Sequence, residues 1–429
     1  MRGEHRPGGP AIAGRQPAEV VMEHVAVVDL GYGDAGKGTV VDALCRSGRV
    51  RAVLRFNGGA QAAHNVVTDD GRHHTFSQFG AGTLRGVPTH LTRFMLVDPL
   101  ALAAEAGALG NPFELLTVDG DALLTTPWHR AANRRRERAE RHGSCGMGVG
   151  ETMAYALAEP DAPRVADVLH PARLRRRLAK VREAYGFGDA PLDDVADAFT
   201  AFGRAVRITH ESHTMRLLAE GPCVFEGAQG VLLDEWRGWH PHTTWSTTTF
   251  ANVAELCPSF RRLGVVRTYT TRHGAGPFVT EDPLLDLPEA HNGTDEWQGA
   301  FRAGHFDAVA HRYAVEVAGG IDELAVTHLD VPAREPALKI CTSYVVDGER
   351  VDRIVPGPHR DLAHQAGLTA WLGRARPADL HRPPDWAREI GALLGAPVTL
   401  ESYGPRAGDK RMVPEGVARP VRIRRAAYC

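Results

Sequence analysis

Residues 24–46 read HVAVVDLGYGDAGKGTVVDALCR, and the fold is decided here. His24 to Leu30 is a continuous apolar run with β-branched enrichment, which predicts a buried strand. It ends in a glycine-rich turn, and Val40, Val41 and Leu44 beyond the turn share one helical face. Strand, loop and helix in that order place the backbone N–H groups of residues 33–38 at a helix N-terminus, where unpaired donors and the helix dipole favour an anion. Gly31, Gly36 and Lys37 satisfy the G-x4-G-K part of a phosphate-binding loop, but Gly38 stands where that loop has a Ser or Thr. Asp34 lies inside the loop. A carboxylate among phosphate-cradling amides is unfavourable unless it binds Mg2+ or takes a proton from a substrate, so the loop predicts an enzyme rather than a passive switch.

Working outward, Arg51 to Phe56 forms a second strand that runs into NGGAQAAHN (57–65), where His64 can carry a positive charge toward a transferring phosphoryl group. Cys223–Glu226, Gly264–Tyr269 and Glu323–His328 are further strands of the buried type. Together they predict an open, mostly parallel α/β sheet flanked by helices, with ligands at the strands' C-terminal ends. THLD (327–330) closes the last of them. Its Asp330 would accept hydrogen bonds from guanine N1 and N2, with His328 where a lysine is usual, which leaves GTP against ATP open. Two arginine-rich helical stretches, 129–143 and 171–180, predict a solvated helix face, with a subunit interface as the alternative.

The chain has 429 residues, a hydrophobic fraction of 43% and a formal net charge of −2. Bulk charge therefore does not mark it for nucleic acid or a membrane surface. No run of about 18 apolar residues is present. The six cysteines lack C-x-x-C spacing and read as reduced thiols of a cytoplasmic protein. Residues 1–22, rich in Gly, Pro and Arg, predict a disordered tail with Met22 as a possible natural start. The rest, 23–429, is expected to be a single α/β domain with a helical insertion at about 125–220.

FEGAQGVLLD (225–234), YTTRHGAGPF (269–278), GHFDAVAHR (304–312), KICTSY (339–344) and SYGP (402–405) follow these pieces in order. From about residue 24 to 413 the set resembles the adenylosuccinate synthetase family. The resemblance implies a P-loop-type GTP-binding core with insertions, in a homodimer that uses Mg2+ and GTP. It also implies transfer of the γ-phosphoryl group to the 6-oxygen of IMP, after which the amine of aspartate displaces phosphate. On that reading Asp34 deprotonates purine N1 and touches the metal together with Ala63, and His64 stabilises the phosphoryl group in flight. Lys37 would join Asp34 and His64 as a catalytic residue of phosphoryl transfer, and Gly33, Gly36, Lys37, Gly38, His328, Asp330 and Gly404 would hold GTP. Gln229, Thr244, Ser144 and Cys145 would hold the substrate nucleotide. The chemistry is coherent, because a 6-oxo group leaves poorly until phosphorylated.

The chain departs from the family pattern at Ala35 and Thr39, at Gln61 and Asn65, and near Glu159, which aligns with an arginine that reaches the nucleotide phosphate across the dimer; Arg164 is a candidate substitute. The largest departure is Glu296-Trp297-Gln298-Gly299-Ala300-Phe301-Arg302, where the family has a cationic T-T-G-R-R-R-R loop for the carboxylates of aspartate. Losing two bidentate arginine contacts at roughly 1.5–3 kcal/mol each costs about three orders of magnitude in affinity for a dianionic amino acid. Trp297 and Phe301 therefore predict a more apolar or aromatic amine, with Glu296 pairing with an amino group and Arg302 completing the amine-substrate loop; the alternative is a disordered or lid loop with no substrate contact. The alternatives are an ordinary IMP:aspartate ligase and, from another class, a non-catalytic nucleotide-binding regulatory protein. A composition rich in Ala, Arg and Gly suits a divergent copy in specialised metabolism.

Overall fold

A computed structural model describes residues 23–414 except 142, 288, 290, 291, 294 and 295. The tail expected over 1–22 lies outside the described residues. Ten strands form the central sheet: β1 Val25–Asp29, β2 Ala52–Arg55, β3 Thr89–Leu91, β4 Leu116–Asp119, β5 Arg207–Thr209, β6 Cys223–Glu226, β7 Arg261–Arg267, β8 Glu323–Thr327, β9 Val398–Ser402 and β10 Lys410–Met412. Their spatial order is β10-β9-β8-β7-β1-β6-β2-β3-β4-β5. All pairings are parallel except β9 with β10.

The apolar run of β1 has the composition of a strand covered on both faces. Successive side chains point to opposite faces, so Ala26 and Val28 join one core and Val27 joins the other. Register pins the neighbours, with Ala26 opposite Phe225 of β6 and Arg262 of β7. Because β7, β1, β6 and β2 run parallel, Arg267, Asp29, Glu226 and Arg55 all end at the same edge of the sheet, and the loops that follow them meet there.

Helix α1 spans Lys37–Cys45. Between residues 125 and 220 lie helices Pro127–Glu140, Val149–Ala158, Pro171–Ala184, Asp193–Ala205 and Glu211–Glu220, together with edge strand β5. The first arginine-rich helix keeps a solvated face, with Arg135, Arg138 and Glu140 exposed, opposite a buried one. It buries Trp128, His129, Ala132, Asn133 and Glu137, and the guanidinium groups of Arg134 and Arg138 lie over the ring of Trp297. The strand expected at Gly264–Tyr269 begins at Arg261 and stops at Arg267, because Thr270–His273 turns into an antiparallel hairpin with Phe301–Gly304. His64, expected in a turn, opens a short strand, His64–Val67, paired with His73–Phe76.

Candidate active site

The glycine-rich loop is organised by the acid that precedes it. Asp29, at the end of β1, accepts hydrogen bonds from the N–H groups of Gly31 (2.7 Å), Gly33 (3.3 Å) and Ala35 (2.7 Å). Its carboxylate thus occupies amides that the sequence predicts to be open to an anion. Lys37 is buried; its Nζ donates to the carbonyls of Gly33 and Gln229, both at 2.7 Å, and lies 3.4 Å from Asp29. Gly38 has a steric explanation. A Cβ there would stand 2.8 Å from Cβ of His64 and 3.1 Å from the carbonyl oxygen of Asn65, so a Ser or Thr would displace the histidine.

His64 is fixed from behind. Its Nδ1 lies 2.6 Å from Oε1 of Glu226, and the other carboxylate oxygen of Glu226 accepts from the N–H of Ala81 at 2.9 Å. Burial pushes the imidazole down to about 4, against the pull of Glu226. Burial opposes the charge on Glu226 as well, but the hydrogen bond to His64 and the nearby Arg55 hold this carboxyl below its ordinary range. Neutral His64 therefore donates Nδ1–H to a carboxylate, which orients its Nε2 edge.

Asp34 faces the cleft from inside the loop. Desolvation raises its carboxyl above the ordinary range, and Arg267, His273 and Lys37 offset part of that rise. Its backbone carbonyl accepts a short hydrogen bond from Nε of Arg267, which in turn pairs with Glu289. A carboxyl poised upward in this way has the proton affinity of a general base. Across the cleft, Gln229 Nε2 donates to Thr244 Oγ1 at 2.5 Å, and Gln229 sits at φ +60°, which aims the GAQG turn back toward Gly33.

The cleft encloses about 560 Å3. Gly33, Asp34, Ala63, His64, Gln229, Thr244, Ser144 and Cys145 line it together, so the expected base, phosphoryl and acceptor residues converge. Of the segment 296–302, Gln298 lines the cleft. Phe301 instead packs edge-on against His273 with ring centroids 4.8 Å apart, and Arg302 donates to Glu281 (2.8 Å) and to the carbonyl of Gly276 (2.9 Å). The expectation that Trp297 and Phe301 meet the co-substrate is thus not what the geometry shows, and Glu296 is exposed outside the cleft lining.

His328, Asp330 and Gly404 gather at a neighbouring site, where the loops after β8 and β9 join through Leu329 N–H to the carbonyl of Ser402 at 3.0 Å. Thr327 Oγ1 donates to the carbonyl of Ala35 at 2.7 Å, tying this site to the glycine-rich loop. Asp330 pairs with Arg334, and burial holds His328 well below its ordinary value, so the usual lysine is replaced by a neutral ring. Among the described residues no group of three or more His, Cys, Asp or Glu could hold a metal. Asp34 alone from the loop fits Mg2+, which takes one or two carboxylates and completes its shell with substrate phosphates and water.

Four residues were missed at sequence level: Glu226, Arg267, His273 and Asn292. Glu226 carried a readable signal, an acid ending a buried strand just as Asp29 does. Arg267 ends β7, while His273 and Asn292 are placed by the hairpin and the segment it carries.

Residues 26–407 match the family model described as adenylosuccinate synthetase. This match, with the loop, the paired His64 and Glu226 and the cleft, defines the class: a GTP-dependent ligase that forms a C–N bond. An adenylosuccinate synthetase of Synechococcus sp. (strain CC9311) is 32% identical over 445 residues, covering 94% of this chain and 99% of the relative. One from Frankia alni is 33% identical over 423 residues, covering 90% and 97%. The chain belongs to the adenylosuccinate synthetase family. Its fold is also that of the fully ligated adenylosuccinate synthetase from Plasmodium falciparum (TM-score 0.78, 20% identity, 91% of this chain and 100% of that one). A cyanophage S-2L succinoaminodeoxyadenylate synthetase, solved with dGMP and with dATP as energy donor, aligns with TM-score 0.61, 19% identity and coverage of 93% and 97%.

Proposed function

We propose that this ligase phosphorylates the 6-oxo group of a purine nucleotide, IMP or an analogue, and that an amine other than plain aspartate then displaces phosphate. The carrying observation is the state of the arginines. Arg302 is engaged by Glu281 and Gly276, while Arg272, which lines the cleft, donates to the carbonyls of Ala275, Pro277 and His242. Arg136, also in the lining, pairs with Glu151 at 3.0 Å. Each of these three guanidinium groups is already engaged by an acid or by main-chain carbonyls, so receiving the two carboxylates of aspartate would require those contacts to be broken.

Asp34 takes the N1 proton as the 6-oxygen gains nucleophilicity, and Lys37 keeps the loop's shape from beneath. His64 starts neutral on Glu226; the negative charge of an arriving triphosphate favours its protonated form beside the transferring group. Gln229 and Thr244 orient the base and phosphate of the acceptor, and Asp330 reads the energy donor's base. Asp34 and the main chain at Ala63 would hold Mg2+, which neutralises phosphate charge when bound. The phage enzyme's dGMP and dATP support variation of acceptor and donor within this fold. We place the enzyme in the cytoplasm as a homodimer.

The test incubates the protein with GTP, Mg2+ and IMP and a panel of amines, following GDP release and product mass. A new adduct with a non-aspartate amine is the expected result. Adenylosuccinate formed at an ordinary rate defeats the amine assignment, and absence of GDP with every amine favours a binding protein.

A further inference from the structure

Glu289 and Asn292, which precede the segment that replaces the cationic loop, are linked to the residues around Asp34. Asn292 donates from Nδ2 to Glu289 Oε2 at 3.1 Å, which fixes its amide so that Oδ1 accepts, and this oxygen lies 3.2 Å from Nε2 of His273. Glu289 in turn pairs with Arg267, whose Nε donates to the carbonyl of Asp34. His273 closes the circuit, with Nε2 3.8 Å from Oδ2 of Asp34. The orientation of Asn292 places the proton of His273 on Nε2, and its buried Nδ1 has no hydrogen-bond partner among the described residues. Phe301, opposite His273 in the hairpin, holds the ring edge-on.

The geometry points to His273 as a positioning residue for Asp34: its Nε2–H is donated to Asn292 at 3.2 Å with Phe301 against the ring, and Nε2 lies 3.8 Å from Oδ2 of Asp34, beyond hydrogen-bonding reach but close enough to bias the carboxylate electrostatically, so that Asn292 and Phe301 act on the base through His273. This rests on the reading of Asp34 as the base. It gives Phe301 a role that needs no contact with substrate. A ring of contacts running from Asp34 through Arg267, Glu289, Asn292 and His273 also makes the base depend on how that segment is seated.

The test measures kcat and KM by GDP release for His273→Leu, His273→Gln, Asn292→Ala and the double variant of Leu and Ala. His273→Leu is expected to lower kcat by roughly 10- to 100-fold, as a displaced reacting group does, with KM for GTP changed less than about twofold. His273→Gln, which restores an N–H at the same reach, is expected to recover most of the rate. The double variant is expected to be no slower than His273→Leu, since both break one path. An unchanged kcat, a loss confined to KM, or a glutamine variant no better than leucine overturns the proposal. Independently of turnover, 15N-histidine NMR is expected to show His273 as the Nε2–H tautomer with a signal that moves in Asp34→Asn; an Nδ1–H tautomer or an unmoved signal overturns it. Asp34→Asn separates the two levels. If it turns over normally, the base assignment fails and this proposal with it; if it is inactive while His273→Leu is normal, only the proposal fails.

Discussion

The two walls of the cleft are built differently. On one, Asp29 and Glu226 end central strands, Lys37 opens α1 and His64 opens a short strand beside them, and all four are buried and bonded to backbone groups or to each other. On the other, Asn292 and residues 296–302 are carried by a two-stranded hairpin and held by Trp297 against Arg134 and Arg138, by Arg302 on Glu281 and by the Asn292 contacts. The first wall is tied to the sheet, so altering it costs the fold. The second is attached to the surface of the same core, and its side chains can change with little penalty. The residues proposed for phosphoryl transfer belong to the first wall, and the chain's largest departure from its family lies on the second, as expected when specificity is varied on loops over a rigid scaffold.

Four experiments press on that difference. Removing the base by Asp34→Ala is expected to have the largest effect, a fall of about 10²- to 10⁴-fold in kcat for product formation; turnover near the normal rate would empty the first wall of its chemistry. Glu226→Gln comes next. It leaves His64 in place but removes the acceptor of its Nδ1–H, and kcat is expected to drop about 10²-fold with a smaller change in KM.

Trp297→Ala probes the second wall. Its two cation–π contacts, 5.5 Å from Arg134 and 5.2 Å from Arg138, are each worth about 0.5–1 kcal/mol at an exposed site, so KM for the amine is expected to rise about five- to tenfold while KM for GTP stays put. A larger rise for GTP than for the amine would show that the two walls are not separable.

The smallest effect concerns stability and lies away from both walls. Burial holds His90 and His129 down to about 3. Nδ1 of His129 accepts from the N–H of Thr126 at the start of its helix, a bond that protonation breaks. Both rings are neutral in the fold and charge near 6.5 when unfolded, so the unfolded chain binds more protons between those values. Their contribution to stability is complete above about pH 6.5 and is lost as pH falls toward about 3. Urea midpoints are expected to fall steadily from pH 7 to pH 4.5, and a flat profile over that range would contradict it.

Much of the first wall was legible in the sequence because its signals are local. A buried strand followed by glycines and a helix leaves few possibilities for Asp34 and Lys37, and His64 lies in the next strand's loop by the same logic. Gly38 was legible as an exception only; its cause, the approach of His64, comes from a contact across 26 positions of chain that no local pattern encodes. The second wall was misread in part. Trp297 and Phe301 are apolar residues in a position the family uses for substrate, and without coordinates an apolar side chain facing substrate cannot be told from one packing on Arg138 or His273.

What the sequence determined by itself is therefore the α/β core and the loops that carry the residues proposed for phosphoryl transfer, since hydrophobic runs and turn residues act through neighbours along the chain. Tertiary structure alone decided which groups those residues lean on. Glu226 behind His64, His273 and Arg267 around Asp34, and the arginines that hold Trp297 are brought together by strand order and hairpin register, and the electrostatics of buried groups follow from that placement and not from spacing in the chain.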